Sequence, residues 1–281
     1  MNGILQQLIV ACYILCCIAI RTGPWRYFQI NARFFSGDKG IFSKLSLDDI
    51  IPDKWRLQQR RLEEVATPPS FPVFLKPEWG QNAGGIERAD NLADYEAIKK
   101  RLLKGDKAYL VQQRAPGKRE FEIYTAFNDT KTNTPNIITI TEAINSRDDF
   151  PINSIYNEHT NYVEITHLFS EEELKTLVSL KQQIARLAQS RLSVRADSLE
   201  DLLAGNFHVI EINLFTPFPI NLLDESYTWR KKLRFILRVG QSLARATQAI
   251  DSKQKTFAVY TRMKLYSNQR SPLVAVLRSF L

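Results

Sequence analysis

A chain of 281 residues that is 44% hydrophobic and 24% charged is neither a disordered tail nor a low-complexity polymer, and it has room for one large or two modest domains. Lys and Arg number 38 against 30 Asp and Glu, a formal charge of +8 that favours polyanions, nucleotides or an acidic membrane face without choosing among them. The excess is local: from Ser226 to Leu281 twelve basic residues stand against one acid, Asp251.

At the N-terminus, residues 4–20 carry no charge. As a helix they would run roughly 25 Å, just under the hydrocarbon thickness of a bilayer. Arg21, Arg26 and Arg33 follow, with Trp25, Tyr27 and Phe28 among them, the basic and aromatic flank of a helix leaving lipid on its cytoplasmic side. The expectation is a single anchor (residues 1–22) holding the rest at the cytoplasmic face of the cell's inner membrane. The competing reading is a buried or self-associating helix, since Gln6 and Gln7 leave a continuous apolar run of only 13 residues. Cys12, Cys16 and Cys17, the only cysteines, all lie in this stretch and offer neither zinc spacing nor paired bridges, which suits a reducing compartment.

Residues 23–68 read as a connecting segment, with turn signals at Gly37, Gly40 and Pro52 and a charged helical stretch, KWRLQQRRLEEVA, ahead of Pro68 and Pro69. From Phe71 short apolar runs alternate with polar turns: FPVFLKP, a helix-like NLADYEAIKKRLLKG, then AYLVQQ, REFEIYTAF, NIITITEAI and NYVEITHLF. A long helical pattern, SEEELKTLVSLKQQIARLAQSRL, opens on a capping box at Ser170 and Glu173 and leads into SVRAD and FHVIEINLF. Strands outnumber helices and are not regularly separated by them, so the spacing predicts an α+β domain with antiparallel sheets over residues 69–225. Residues 226–281 form a basic helical segment. In it Leu233, Ile236, Leu237, Leu243 and Ala244 make an apolar stripe with cations outward, suited either to an anionic membrane surface or to the solvated face of a packed helix.

Three patterns carry chemistry. In VIEIN, Glu211 and Asn213 share one face of a strand, and hard oxygen donors converging from a strand suit Mg²⁺. Arg195 and Asp197 in SVRAD have the same period-two relation. In FPVFLKPEWGQNAGGI a strand delivers Lys76, and a loop with Gly80, Gly84 and Gly85 follows whose N–H groups can close around phosphate oxygens. Neither a Walker loop nor G-x-G-x-x-G is present. His159, His167 and His208 do not cluster and read as structural, and no Gly-x-Ser-x-Gly elbow supports a hydrolase.

The order of these parts resembles the ATP-grasp superfamily, and within it the D-alanine:D-alanine ligase-like carboxylate-amine ligases, over roughly residues 69–225. The resemblance implies two α+β subdomains whose antiparallel sheets clamp ATP. It makes Lys76 the phosphate-binding lysine before a Gly84–Gly85 loop. YLVQQRAPGKREFEI becomes the hinge strand, with Gln112, Arg114 and Ala115 at the adenine and Glu120 at the ribose. Asp197, Glu211 and Asn213 would hold one or two Mg²⁺ ions, and Arg195 would stabilise the transferring phosphoryl group. Another ATP lysine is expected upstream; GDKGIFSK, with Asp38, Lys39 and Lys44, looks like its context, which points to Lys39. The sequence departs from the family where the usual N-terminal domain is reduced or absent and where LFTPFPIN replaces the common Pro-Gly.

The activity implied is an ATP- and Mg²⁺-dependent ligase that activates a carboxylate as an acylphosphate for attack by an amine, both small molecules. The alternatives are an ATP-grasp-type kinase of a small acceptor and a membrane-associated nucleotide-binding pseudoenzyme. Neither a helix-turn-helix nor an RNA-binding signature accompanies the charge, so nucleic acid is not expected.

Overall fold

The computed structural model describes residues 2–36, 40–79, 84–105, 107–129, 131–153, 159–214, 217–254, 256–259 and 261–262. Two antiparallel sheets dominate it. The smaller is built from β1 (Gln59–Arg61), β2 (Val73–Pro77), β3 (Glu87–Ala89) and β4 (Tyr109–Gln113), in the order β1-β4-β2-β3. Helix α3 (Leu92–Leu102) covers one face of this sheet, where Tyr95 and Leu102 pack with Leu62, Val73, Leu75 and Val111. Asn91 caps it by accepting from the Asp94 N–H, and Lys99, Lys100 and Arg101 in its last turn complement the helix dipole.

The larger sheet runs β7-β6-β5-β8-β9, from β5 (Arg119–Ala126), β6 (Ile137–Asn145), β7 (Thr160–Glu164), β8 (Gln189–Ala196) and β9 (His208–Asn213). Alternation along β5 sends Phe121 and Ile123 to one face, into a core with Ile140, Leu192 and Val194. Helices α4 (Glu171–Ile184) and α5 (Leu199–Ala204) cover that face with Leu177, Ile184 and Leu202. The expected capping box of α4 is present, with Ser170 and Glu173 bonding each other's backbone N–H groups. The opposite face carries Glu120, Glu122, Tyr124 and Ala126. Its second half is roofed by α6 (Trp229–Gln248) and α1 (Asn2–Ala19), which contribute Leu5, Tyr13, Cys17, Phe235, Val239 and Leu243.

Helix α1 therefore lies on α6. Tyr13 Oη and Thr247 Oγ1 are 3.0 Å apart, and Gln248 Nε2 donates to the Ile20 carbonyl at 3.2 Å. Gly240 makes the crossing possible, since a Cβ there would come within 2.8 Å of Cys12 Sγ and 3.2 Å of the α1 backbone. Among the described residues no single helix is long and apolar enough to cross a membrane, although Gly3–Ala19 and Pro24–Phe34 together have the length and composition, as a pair bent by 109°.

Two elements differ from the sequence expectation. KWRLQQRRLEEVA is not an α-helix, only Leu62–Glu64 making a 3₁₀ turn: Trp55, Leu57 and Leu62 are buried, and β1 forms the edge of the small sheet by pairing with β4, so the connecting segment contributes to that sheet. The helical pattern from Ser170 stops at Ile184, and the chain turns extended at Ala185. Residues 189–192 belong instead to β8, where pairing with β5 and β9 overrides local helix propensity.

Candidate active site

The uncovered half of the large sheet faces the small sheet across a cleft. From the small sheet come Phe74, Lys76 and Gln112, one face of the β2–β4 pair, with Ala115 just beyond. From the large sheet come Glu120 and Glu122 of β5, Arg191, Ser193 and Arg195 of β8, and Ile210, Glu211 and Asn213 of β9. A bulge in β9 sets this last group. Ser193 pairs with Glu211 but Val194 with Val209, leaving Ile210 as the extra residue. Val209 thereby joins Ile212 in the core, while Ile210 adds an apolar side chain to the cleft beside Leu57 and Phe74.

Register also fixes which β8 residues stand beside the acids. Glu122 of β5, Ser193 of β8 and Glu211 of β9 form one row across three strands, with Arg191 opposite Asn213. Ser193 Oγ lies 2.9 and 2.8 Å from the two Glu122 carboxylate oxygens, and Arg191 Nε reaches the same carboxylate at 2.9 Å. Lys44, on the short helix α2 (Lys44–Asp48), brings its ammonium to 3.6 Å from Glu211.

The charges shift one another. Burial pushes the Lys76 ammonium down to about 8; Glu211 works against that shift and Lys44 with it. Burial opposes charge on Glu211 as well, yet Lys44, Lys76 and Arg191 together hold its carboxyl below the usual range. Burial raises Glu122 despite Arg191 and Ser193. Glu120 goes up to about 7 through burial, with the hydrogen bond from Asn153 opposing and Glu122 adding.

Of the residues expected from sequence, Lys76, Gln112, Ala115, Glu120, Arg195, Glu211 and Asn213 meet in this cleft. Arg195 lies at its wall: Nε donates to the Gly117 carbonyl at 3.1 Å, the Nη2 group to that of Asp149 at 2.7 Å, and the guanidinium sits 4.8 Å from the Phe150 ring centre. Gly117 has φ +112° and a Cβ there would meet the Ala196 backbone at 2.9 Å, so no side chain fits where Arg195 docks. Arg114 is exposed and also covers Phe150 rather than lining the cleft. Gly84 and Gly85 form a turn outside it, Gly85 packing near Pro77 and Tyr109. Asp197 is a correction: β8 ends at Ala196, and Asp197 is exposed beyond it, away from Glu211. Lys39 and Gly80 lie outside the described residues.

Sequence reasoning passed over Glu122, Arg191 and Ser193. The signal was there in the alternation of REFEIY, which puts Glu122 on the face of Glu120, but assigning Arg191 to a helix hid it, and Ser193, at the start of SVRAD, was passed over for Arg195 and Asp197.

Residues 45–219 match the family described as D-ala D-ala ligase C-terminus. The chain belongs to that family. It has the ATP-grasp fold of the family, two antiparallel sheets facing each other across a cleft. Solved structures similar to this family member include VanG D-Ala:D-Ser ligase from Enterococcus faecalis (14% identity, TM-score 0.48, covering 74% of this chain and 61% of that one). Others are an L-amino acid ligase from Bacillus licheniformis (16%, 0.45, 72% and 47%) and a D-alanine–D-alanine ligase from Bacillus anthracis complexed with ATP (12%, 0.46, 73% and 67%). The chain thus spans about three fifths and one half of the first two. No curated protein matches it.

Proposed function

We propose that this protein is an ATP- and Mg²⁺-dependent ligase that activates a small-molecule carboxylate as an acylphosphate for attack by an amine. The observation that carries this reading is the meeting, in one cleft between the two sheets, of Lys76, Glu211 and Asn213 with an apolar slot of Leu57, Phe74 and Ile210. A purine ring suits the slot, with the Gln112–Ala115 segment at its edge. Lys76, Lys44 and Arg191 supply the positive charge a triphosphate needs.

Among the described residues no group of three or more His, Cys, Asp or Glu side chains is arranged to hold a metal. That donor set fits magnesium arriving with the nucleotide, because Mg²⁺ is commonly held by one or two carboxylates plus substrate phosphates rather than by an all-protein cage. Glu211 and Asn213 would hold it, and the ion would neutralise phosphate charge. The protein's own residues then position the phosphates and the acid and keep water from the activated acyl group.

The test is ADP release measured with ATP, Mg²⁺ and panels of acids and amines. Release that needs both an acid and an amine supports ligation, whereas phosphate retained on a single acceptor identifies a kinase. Glu211→Gln is expected to lower turnover at least a hundredfold with an unchanged circular-dichroism spectrum; wild-type turnover removes Glu211 from the mechanism. A second reading, nucleotide binding without turnover, is favoured by Ser193, a neutral hydroxyl directly opposite Glu211. ATP binding in equilibrium dialysis with no ADP release across the panels would establish it.

A further inference from the structure

Helix α1 has two unlike faces. Leu5, Tyr13 and Cys17 are buried against α6 and the large sheet. The opposite face exposes Ile4, Val10, Ala11, Ile14, Leu15 and Ile18, with Leu15 and Ile18 more than 60% exposed. Gln7 is exposed on the same face and separates Ile4 from the rest; from Ala11 the stripe repeats at i, i+3, i+4 and i+7 through Ile14, Leu15 and Ile18 and carries no charge, so the second half of the helix presents a continuous apolar ridge rather than scattered exposure.

The ridge extends onto α6. Cys12 meets Gly240 and Ile20 meets Gln248, so the two helices run in the same direction. Leu233 and Leu237 of α6, each about half exposed, lie on the α1 side of that helix, on the row that leads to Gly240. The next row of α6 is Arg230, Arg234, Arg238 and Arg245, all exposed, and the helix contains no acid. Trp229 at the start of α6 and Trp25 just past α1 are exposed at opposite ends of the ridge.

We propose that this surface docks in the plane of an anionic lipid bilayer, with the outer face of α1 and Leu233 and Leu237 in the acyl boundary, the arginine row on lipid phosphates and the two tryptophans at headgroup level. Three features favour lipid over a protein partner. The apolar strip is uncharged along its length, its border is cationic without acids, and indole rings at both ends match the interfacial preference of tryptophan. Docking leaves α1 on α6, so it requires no span, and it is independent of the ligase reading.

The experiment is co-sedimentation of the full chain with phosphatidylcholine vesicles and with vesicles that are about one third phosphatidylserine, together with light scattering in the absence of lipid. The wild type is expected to pellet with the anionic vesicles, to be released by high salt, and to be monomeric without lipid. Ile14→Gln, Leu15→Gln and Ile18→Gln together should lower binding tenfold or more. Arg230→Gln with Arg234→Gln, which leaves the apolar face intact and keeps the test valid if the first variant fails to fold, should abolish the preference for anionic lipid. Protein left in the supernatant overturns the proposal, as does equal binding to both vesicle types. A lipid-free dimer dissolved by the Gln variant assigns the face to a second copy and overturns it too.

Discussion

One face of β5 shows two regions built by the same alternation and finished differently. Glu120 and Glu122 at one end look into the cleft; Tyr124 and Ala126 at the other lie under α6 and α1. Backbone and pairing are alike in both, so the cover makes the difference. Where helices close the sheet, apolar side chains suffice. Where a second sheet stands across a gap, buried charges persist because each has a countercharge or hydrogen bond. The apolar half holds the fold, and the charged half holds a set of groups whose charge is only partly offset within the protein.

The largest effect is expected from breaking a pair in the charged half. Glu122→Ala leaves Arg191, whose side chain is only 16% exposed, without its carboxylate and should cost about 3–5 kcal/mol, whereas replacing both by apolar residues, Glu122→Leu with Arg191→Met, should recover most of it. Urea unfolding of the single and double variants measures the cycle, and a double variant as unstable as the single would mean that the pair's neighbours depend on its charges. In the apolar half, Leu243→Ala removes a 2% exposed side chain between α1, α6 and the sheet. Its expected cost is about 2–5 kcal/mol, read in the same way. Nucleotide affinity should survive this change and not the first.

A smaller effect tests protonation. Burial raises Glu120 from an ordinary carboxyl value to about 7. The folded state then binds a proton that the unfolded chain has lost, so this contribution to stability is complete below the unfolded value near 4.5 and disappears as pH climbs through about 7. Glu120→Gln removes that dependence. It should leave stability near pH 4 unchanged and raise it at pH 8 by up to about 3 kcal/mol, checked by thermal melts across that range. An equal effect at both pH values would show that Glu120 titrates alike in the folded and the unfolded chain.

Much of this division was legible in the sequence. Period-two patterns gave β4, β5, β6 and β9, the capping box gave the start of α4, alternation put Glu211 and Asn213 on one face, Lys76 stood out at the end of a strand before a Gly-rich loop, and Glu120 came from the family resemblance. What failed was register at β8. Residues 185–192 have ordinary helix formers, and only pairing with β5 and β9 makes Gln189 the first strand residue. A strand begun four residues late shifts attention from Arg191 and Ser193 to Arg195 and Asp197, the same face but two rungs further along. The bulge at Ile210 was equally invisible, because nothing in VIEIN announces that Val209 turns to the core.

The smallest expected effect decides that register. Asp197→Asn alters an exposed side chain beyond the end of β8, so stability should stay within about 0.5 kcal/mol and ATP binding within about twofold of wild type. Ser193→Ala, a smaller chemical change, removes a hydroxyl that contacts both oxygens of a buried carboxylate, and it should cost about 1–2 kcal/mol and shift nucleotide affinity. The two variants are best compared by isothermal titration with an ATP analogue and Mg²⁺. If Asp197→Asn weakens binding more than Ser193→Ala does, the β8 pairing of Ser193 with Glu211 is not the one that faces the phosphates, and the charged region must be redrawn around the end of the strand.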